Sequence, residues 1–289
     1  MNRTSFRLHA LMENDIPALI ALSDSVGWDY DEAELRTILS TGNVFGHRNE
    51  ADQLVSCSAI LVYEEQLATL GMVIVHDSCR GYGLGRELMQ ACMSSVPSDT
   101  TIMLVSTPAG KPLYESLGFT TAETIHKCLS DHFSPSAGSC GQDESYPVIL
   151  PIEVADVADV IELDRLAVGS RRSHFVQARM EQAASCLVAK DDNGKTVGYG
   201  MAVQGPVNLI VGPLVAPDST TALRLLCQLT AGHIGKIRID VPNGQEAFLD
   251  FLQQNGFTKV SEPPVMVANT NRLPDRNGTY FGIAAQIFG

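Results

Sequence analysis

The chain is short of positive charge, of aromatic residues and of long apolar runs. Its 289 residues carry 20 Lys+Arg against 33 Asp+Glu, a formal charge of −13; aromatics make up 6%, with one tryptophan. The shortage of cations is general. Residues 1–130 hold 8 basic against 16 acidic side chains, and residues 131–289 hold 12 against 17. Neither half offers the basic field that attracts a phosphate backbone, so no nucleic-acid partner is expected. No run approaches the roughly 18 apolar residues of a membrane helix, and no membrane partner is expected. The start, Met1-Asn2-Arg3-Thr4-Ser5-Phe6, lacks the cationic flank and apolar stretch of a secretory signal. Seven cysteines include no Cys-x-x-Cys pair, and the histidines show no ligand spacing, which argues against a metal. An odd cysteine count without a secretion signal fits reduced thiols and a cytoplasmic location.

What is present is a globular balance: 45% hydrophobic residues and 18% charged, in a length that suits about two domains. The stretch Asp131–Pro147, DHFSPSAGSCGQDESYP, is crowded with Ser, Gly and Pro and reads as a linker. The expected division is residues 1–130, a linker over 131–147, and residues 148–289. The two sides resemble each other. Asp15-Ile16-Pro17-Ala18-Leu19-Ile20 aligns with Asp156-Val157-Ala158-Asp159-Val160-Ile161 at an offset of 141. The strand ending at Val75 aligns with one ending at Val215, and Leu117-Gly118-Phe119-Thr120 with Asn255-Gly256-Phe257-Thr258. Shared order and near-constant spacing indicate a duplicated domain.

In the first copy, Phe6–Ala10 alternates as a strand and Asp15–Asp24 has helical spacing. Asp31 and Glu34 form a capping-box-like start for a helix through Leu39. Leu54–Tyr63 and Leu67–Val75 read as strands. A glycine-rich loop leads into a helix over Leu84–Ser95, then a strand over Thr101–Val105, a helix over Pro112–Leu117 and a closing strand pair. The order β-α-α-β-β-β-α-β-α-β-β predicts a mixed α/β sheet domain.

The sharpest local feature is the run from Val73-Ile74-Val75 into Arg80-Gly81-Tyr82-Gly83-Leu84-Gly85 and directly into an amphipathic helix. Glycines permit close backbone approach and positive φ. Free N–H groups at a helix start, with the dipole behind them, favour a phosphate or pyrophosphate. A dinucleotide fingerprint from Gly81 fails at Arg86, and a P-loop ending in Gly194-Lys195-Thr196 fails at Ala189.

Arg80-x-x-Gly83-x-Gly85 after a strand, followed by Tyr114-Glu115-Ser116-Leu117-Gly118-Phe119, resembles the GCN5-related N-acetyltransferase (GNAT) superfamily. Thr107-Pro108-Ala109-Gly110-Lys111-Pro112 further resembles its bacterial tandem type, in which a divergent second domain follows the first. The resemblance implies two tandem acyl-CoA N-acyltransferase domains, each a mostly antiparallel twisted sheet flanked by helices. It implies acetyl-CoA as donor and no metal. Met72, Val73 and Val75 would line the thioester and pantetheine arm, while Arg80, Gly81, Tyr82, Gly83, Leu84 and Gly85 would hold the pyrophosphate. Tyr114 would be the general acid; no strand carboxylate stands out as the base, and Glu64 or Glu65 acting through water stands against their reading as solvated turn charges. Trp28 would border the acceptor, a small-molecule or protein primary amine, and Arg172 would reach substrate from the second copy. At an offset of 140, the loop becomes Thr220-Thr221-Ala222-Leu223-Arg224-Leu225, with Ser219 left to cap the helix, and Tyr114 aligns with Leu252. The second copy is thus expected to keep the fold without the cofactor. The implied activity is direct acetyl transfer to an amine by a monomer or homodimer. A non-catalytic acyl-CoA-binding or regulatory protein and an unrelated phosphometabolite-binding protein are the alternatives.

Overall fold

In the computed structural model, which describes residues 6–64, 66–133, 135 and 147–289, the first half builds largely as its patterns require. Strand β1 (Arg7–Leu11) leads to helices α1 (Ile16–Asp24) and α2 (Glu32–Thr41). The Asp31 carboxylate accepts from the Glu34 N–H at 2.8 Å and starts α2, as an N-cap residue does. Strand β2 (Gly42–Arg48) follows at once; its two glycines and broken alternation give it no strand signal, and pairing with β1 and with β3 (Leu54–Val62) makes it one. Then come β4 (Leu67–Val75), α3 (Leu84–Ser94), β5 (Thr101–Val105), α4 (Lys111–Glu115) and β6 (Thr120–Ser130). Helix α3 buries Leu84, Leu88, Met89 and Cys92, one apolar stripe at helical spacing.

The second half repeats this order with β7 (Val148–Pro151), α5 (Val157–Val168), α6 (Ser173–Gln182), β8 (Ser185–Lys190), β9 (Thr196–Gln204), β10 (Asn208–Val215), α7 (Ser219–Leu229), β11 (Lys236–Pro242), α8 (Glu246–Gln254), β12 (Thr258–Ser261), β13 (Pro264–Ala268) and β14 (Tyr280–Gly282). The linker expected over 131–147 falls largely outside the described residues.

The strands join in one sheet, ordered β1-β2-β3-β4-β5-β13-β6-β11-β10-β9-β8-β7, with β12 on β6 and β14 on β10. Its pairs are antiparallel except β4 with β5 and β10 with β11. The halves exchange strands. Strand β13 of the second half lies between β5 and β6, pairing Val267 with both Met103 and Thr120. The outer part of β6 in turn pairs with β11, Ile125 opposite Pro242 through Ser130 opposite Ile237. The closing strand pair of the first half is therefore β6 with a strand from the second.

Helices α1, α2, α5 and α6 share one apolar core with the segment that follows β14, through Leu19, Ile38, Val160, Phe175, Ile283 and Phe288. On the opposite face α3 and α4 cover the first half, through Met89 and Tyr114, and α7 and α8 cover the second, through Leu225 and Phe248. Among the described residues no helix is long and apolar enough to cross a membrane. Cys57, Cys79, Cys92, Cys128 and Cys186 are free thiols, but Cys227 is disulfide-bonded, so the expectation of uniformly reduced cysteines fails there.

Candidate active site

Thr69 and Met103 are the last pair of the parallel β4–β5 ladder. Beyond them the strands part, and the edge of β4 from Leu70 to Val75 faces a wedge. The opposite edge of β4 carries a bulge: its register with β3 jumps from Gly71 opposite Ala59 to Ile74 opposite Cys57. Met72 takes φ +53 there, a left-handed conformation that re-aims the adjoining peptide groups. The Cys57 thiol donates to the Met72 carbonyl at 3.5 Å and braces the bulge from β3. Met72 and Ile74 are buried while Val73 and Val75 are partly exposed.

Strand β4 then runs through residues 76–83 into α3. Gly81 and Gly83 adopt φ +84 and +83, on either side of Tyr82, which builds a concave run of N–H groups of the kind that binds anions. The first helical bond runs from the Glu87 N–H to the Gly83 carbonyl at 3.1 Å, so the N–H groups of Leu84, Gly85 and Arg86 stay at the helix mouth. A Cβ on Gly85 would stand 3.3 Å from Leu113 Cδ2 and 3.7 Å from Val75 Cγ2, so α4 packs closely under the cradle. Arg80 is exposed and pairs with Asp77 at 2.7 Å, a solvated pair that an incoming anion displaces at small cost.

Tyr114 of α4 is 7% exposed and shares its cluster with Leu70 and Leu104, the residues just past the fork. Its ring packs against Phe119 at 6.1 Å, and its hydroxyl has no hydrogen-bond partner among the described residues. Burial pushes its pKa up to about 12. The hydroxyl is a proton donor at neutral pH.

The α1–α2 connection stands over the other face. The Trp28 N–H donates to the Ser23 carbonyl at 3.1 Å, and Ser23 Oγ donates back to the Trp28 carbonyl at 3.0 Å. Trp28 is half-buried and meets the Tyr30 ring at 6.2 Å. Burial first, and then the Glu34 carboxylate, raise the Tyr30 pKa; Cys57, which braces the bulge, is within Coulombic reach of the same hydroxyl. Glu64 is engaged elsewhere, accepting from the Ser173 N–H of α6 at 2.9 Å and pairing with Arg171 at 3.5 Å. Glu65 lies outside the described residues.

Two acetyltransferase (GNAT) domain models match, one over residues 29–127 and one over residues 160–282. The uncharacterized N-acetyltransferase YitH of Bacillus subtilis is 32% identical over 280 residues, 96% of this chain and 97% of its own. The chain belongs to the GNAT family. Its fold is that of a putative acetyltransferase from Pyrococcus horikoshii (TM-score 0.80, 18% identity, 100% of this chain and 98% of that one). It is also like a tandem GNAT protein from the clavulanic acid biosynthesis pathway (TM-score 0.67, 16% identity, 91% and 98%).

The two GNAT copies differ at the cradle. Residues 76–83 separate β4 from α3, but only residues 216–218 separate β10 from α7. The second loop is thus shortened rather than substituted: Thr220–Leu225, which the sequence offset sets against the glycines, lies inside α7. Its N-cap is Asp218 rather than Ser219, and the Asp218 carboxylate accepts from the Thr221 N–H at 2.7 Å, where a phosphate would otherwise sit. Beyond the paired part of β10 and β11, β14 fills the second wedge, with Leu214 opposite Gly282 and the Ile283 N–H donating to the Asp240 carbonyl at 2.9 Å.

Arg172 is corrected from a substrate contact to a buried clamp. It is 2% exposed and pairs with Asp164 through two bonds of 2.7 and 2.9 Å. It also donates to the Phe288 and Gly289 carbonyls and to the Tyr280 hydroxyl. Asp164 further accepts from the Tyr199 hydroxyl. The sequence reading missed the segment after β14: the Tyr63 hydroxyl donates to the Phe288 carbonyl at 2.7 Å. Ile287 packs on Gly71, and Gly289 reaches Thr69 and Met103 at the fork. No motif marks these residues, because ordinary small and apolar side chains do the filling.

Proposed function

We propose that the first half transfers acetyl from acetyl-CoA to a primary amine by direct attack. One observation carries this reading: an unpaired β4 edge, bulged at Met72, runs straight into the glycine cradle at the mouth of α3, while the same places in the second half are closed. The residues present fit the donor. Gly81 and Gly83 hold the positive φ that a pyrophosphate cradle needs, and a Cβ on Gly81 would meet nothing within 4 Å, so the cradle is open. Acetyl-CoA when bound supplies an activated thioester and a thiolate leaving group.

The chain's own groups account for the rest. Backbone N–H groups from Gly81 to Arg86 and the Arg80 guanidinium hold the anionic end. Met72, Val73 and Val75 offer unpaired backbone for alignment along β4, where preset dipoles cost no reorganisation as charge develops. Tyr114 holds a proton on its hydroxyl for the departing sulfur. Trp28 and Tyr30 bound the acceptor's approach from the opposite face, so donor and amine meet across the sheet.

Calorimetric titration with acetyl-CoA, followed by thiol release across an amine panel, tests this. Binding in the micromolar range with release for at least one amine is the expected result. No binding would remove the cofactor assignment; binding without release would favour a non-catalytic acyl-CoA-binding protein.

A further inference from the structure

Strand exchange brings a lysine without a direct ion pair among the described residues to the face that carries the α1–α2 connection. Lys127 on β6 stands directly opposite Asp240 on β11. The Asp240 carboxylate is taken by Arg238, through bonds of 3.1 and 2.5 Å from Nε and Nη2. Lys127 is therefore left without hydrogen bond or ion pair among the described residues, although it is only partly exposed. In a chain with 33 Asp+Glu against 20 Lys+Arg, a half-buried lysine that makes no direct bond to a carboxylate stands out, although Asp240 and Asp29 lie within Coulombic reach of it. Burial and the neighbouring Arg238 both lower its pKa, with Asp240 and then Asp29 acting the other way. Arg238 Nη1 likewise donates to no protein acceptor among the described residues.

The position of this pair is what gives it meaning. Arg238 lies within Coulombic reach of Asp29 and Tyr30 of the α1–α2 connection, and the Tyr30 hydroxyl lies within the same reach of Cys57, which holds the Met72 bulge. On β6 and β11, Cys128 and Ile239 point to the α7–α8 core. Alternation along a strand therefore turns Lys127, Arg238 and Asp240 to the face that carries the α1–α2 connection. Cys57, Tyr30, Arg238 and Lys127 thus form one neighbourhood on this face, in which Lys127 Nζ and Arg238 Nη1 have no hydrogen-bond acceptor among the described residues.

We infer that Lys127 and Arg238 seat a carboxylate of the acceptor, which is an amino-carboxylate with its amine directed to the Met72 bulge. The inference rests on the acetyl-transfer reading and narrows it. A carboxylate suits two cationic donors, because charge-assisted bonds supply specificity that neutral contacts do not. Asp240 orders Arg238 and prevents it from acting as a loose surface cation. Both donors come from strands joined only by the exchange of β6 into the second half, so the specificity element belongs to neither copy alone.

The test compares 4-aminobutyrate and 6-aminohexanoate with butylamine, hexylamine and putrescine, using acetyl-CoA-dependent thiol release by the full chain, Lys127→Met and Lys127→Glu. The wild type should favour the amino-carboxylates in kcat/KM. Lys127→Met should lower the ratio of amino-carboxylate to alkylamine about tenfold to hundredfold, the range for losing a charged hydrogen-bond partner. Lys127→Glu should shift preference towards putrescine. Acetyl-CoA affinity within twofold of wild type shows that each variant is folded. An unchanged ratio in both variants, or a wild-type preference for putrescine, would overturn the inference. Preference for 2-aminoethyl phosphate over β-alanine would overturn the carboxylate assignment. Should no amine release thiol although acetyl-CoA binds, the transfer reading fails by itself. Saturation-transfer NMR with 4-aminobutyrate then decides the subsite: binding lost in Lys127→Met supports it, and absence of binding to the wild type overturns it.

Discussion

Single substitutions are expected to separate cofactor binding, proton donation and folding. Gly83 stands at φ +83 as the N-cap of α3, so Gly83→Val strains the backbone by about 1–2 kcal/mol and fills the cradle. Calorimetry should show acetyl-CoA affinity falling at least tenfold while far-UV circular dichroism stays constant. Tyr114→Phe removes a hydroxyl that bonds to nothing among the described residues; kcat should fall by about 10²-fold, the scale of general acid catalysis, with acetyl-CoA affinity held. The sign of its pH dependence follows from burial. A donor whose pKa is raised to about 12 stays protonated across the assay range, so no alkaline limb from Tyr114 should appear in kcat below that pH. Arg172→Met leaves Asp164 buried and unpaired, which costs about 3–5 kcal/mol; urea unfolding should show the loss, and Asp164→Asn in the same chain should recover part of it. The glycine turns were legible in the sequence because positive φ demands glycine at fixed positions, as Gly81 and Gly83 show. Arg172 was not, since a cation with a hidden carboxylate partner reads the same as one in water.

At the scale of elements, most of the first half was legible because amphipathic period, caps and glycine turns act over a few residues. Helix α2 starts where Asp31 and Glu34 say it should, and β5 spans the expected Thr101–Val105. Strand β2 was given no residues, since tertiary pairing on both edges outweighs its weak propensity. The shortened second cradle was misread as substitution because a constant offset cannot reveal a deletion between two matched blocks. Most of all, local pattern carries no information on which sheet a strand enters, so the placement of β13 beside β5 had no signal. Its ladder position makes a sharp prediction. Val267 pairs on both sides, and a proline within a central strand removes a ladder bond and clashes. Val267→Pro should lower the thermal midpoint and abolish acetyl-CoA binding, although it lies some 180 residues from the cradle along the chain (Val267 against Arg80–Gly85).

At the scale of the molecule, the duplication has become interdependence. Residues 1–130 without the second half lack β13 between β5 and β6 and lack the segment at the fork, leaving buried edges open. Expressed alone, residues 1–130 and 148–289 should each fail to give a cooperative unfolding transition, whereas co-expression should restore one together with acetyl-CoA binding. The same exchange sets a timetable for synthesis. The cradle is translated in the first third of the chain, yet the strand and the fork residues that complete its sheet are residues 264–289. At the usual pace of about 5–20 residues per second, the nascent chain holds a finished motif on an unfinished sheet for many seconds. Completion of the cradle's sheet therefore waits for residues 264–289 rather than proceeding domain by domain, and a ribosome stalled before them carries a first half whose sheet is still open.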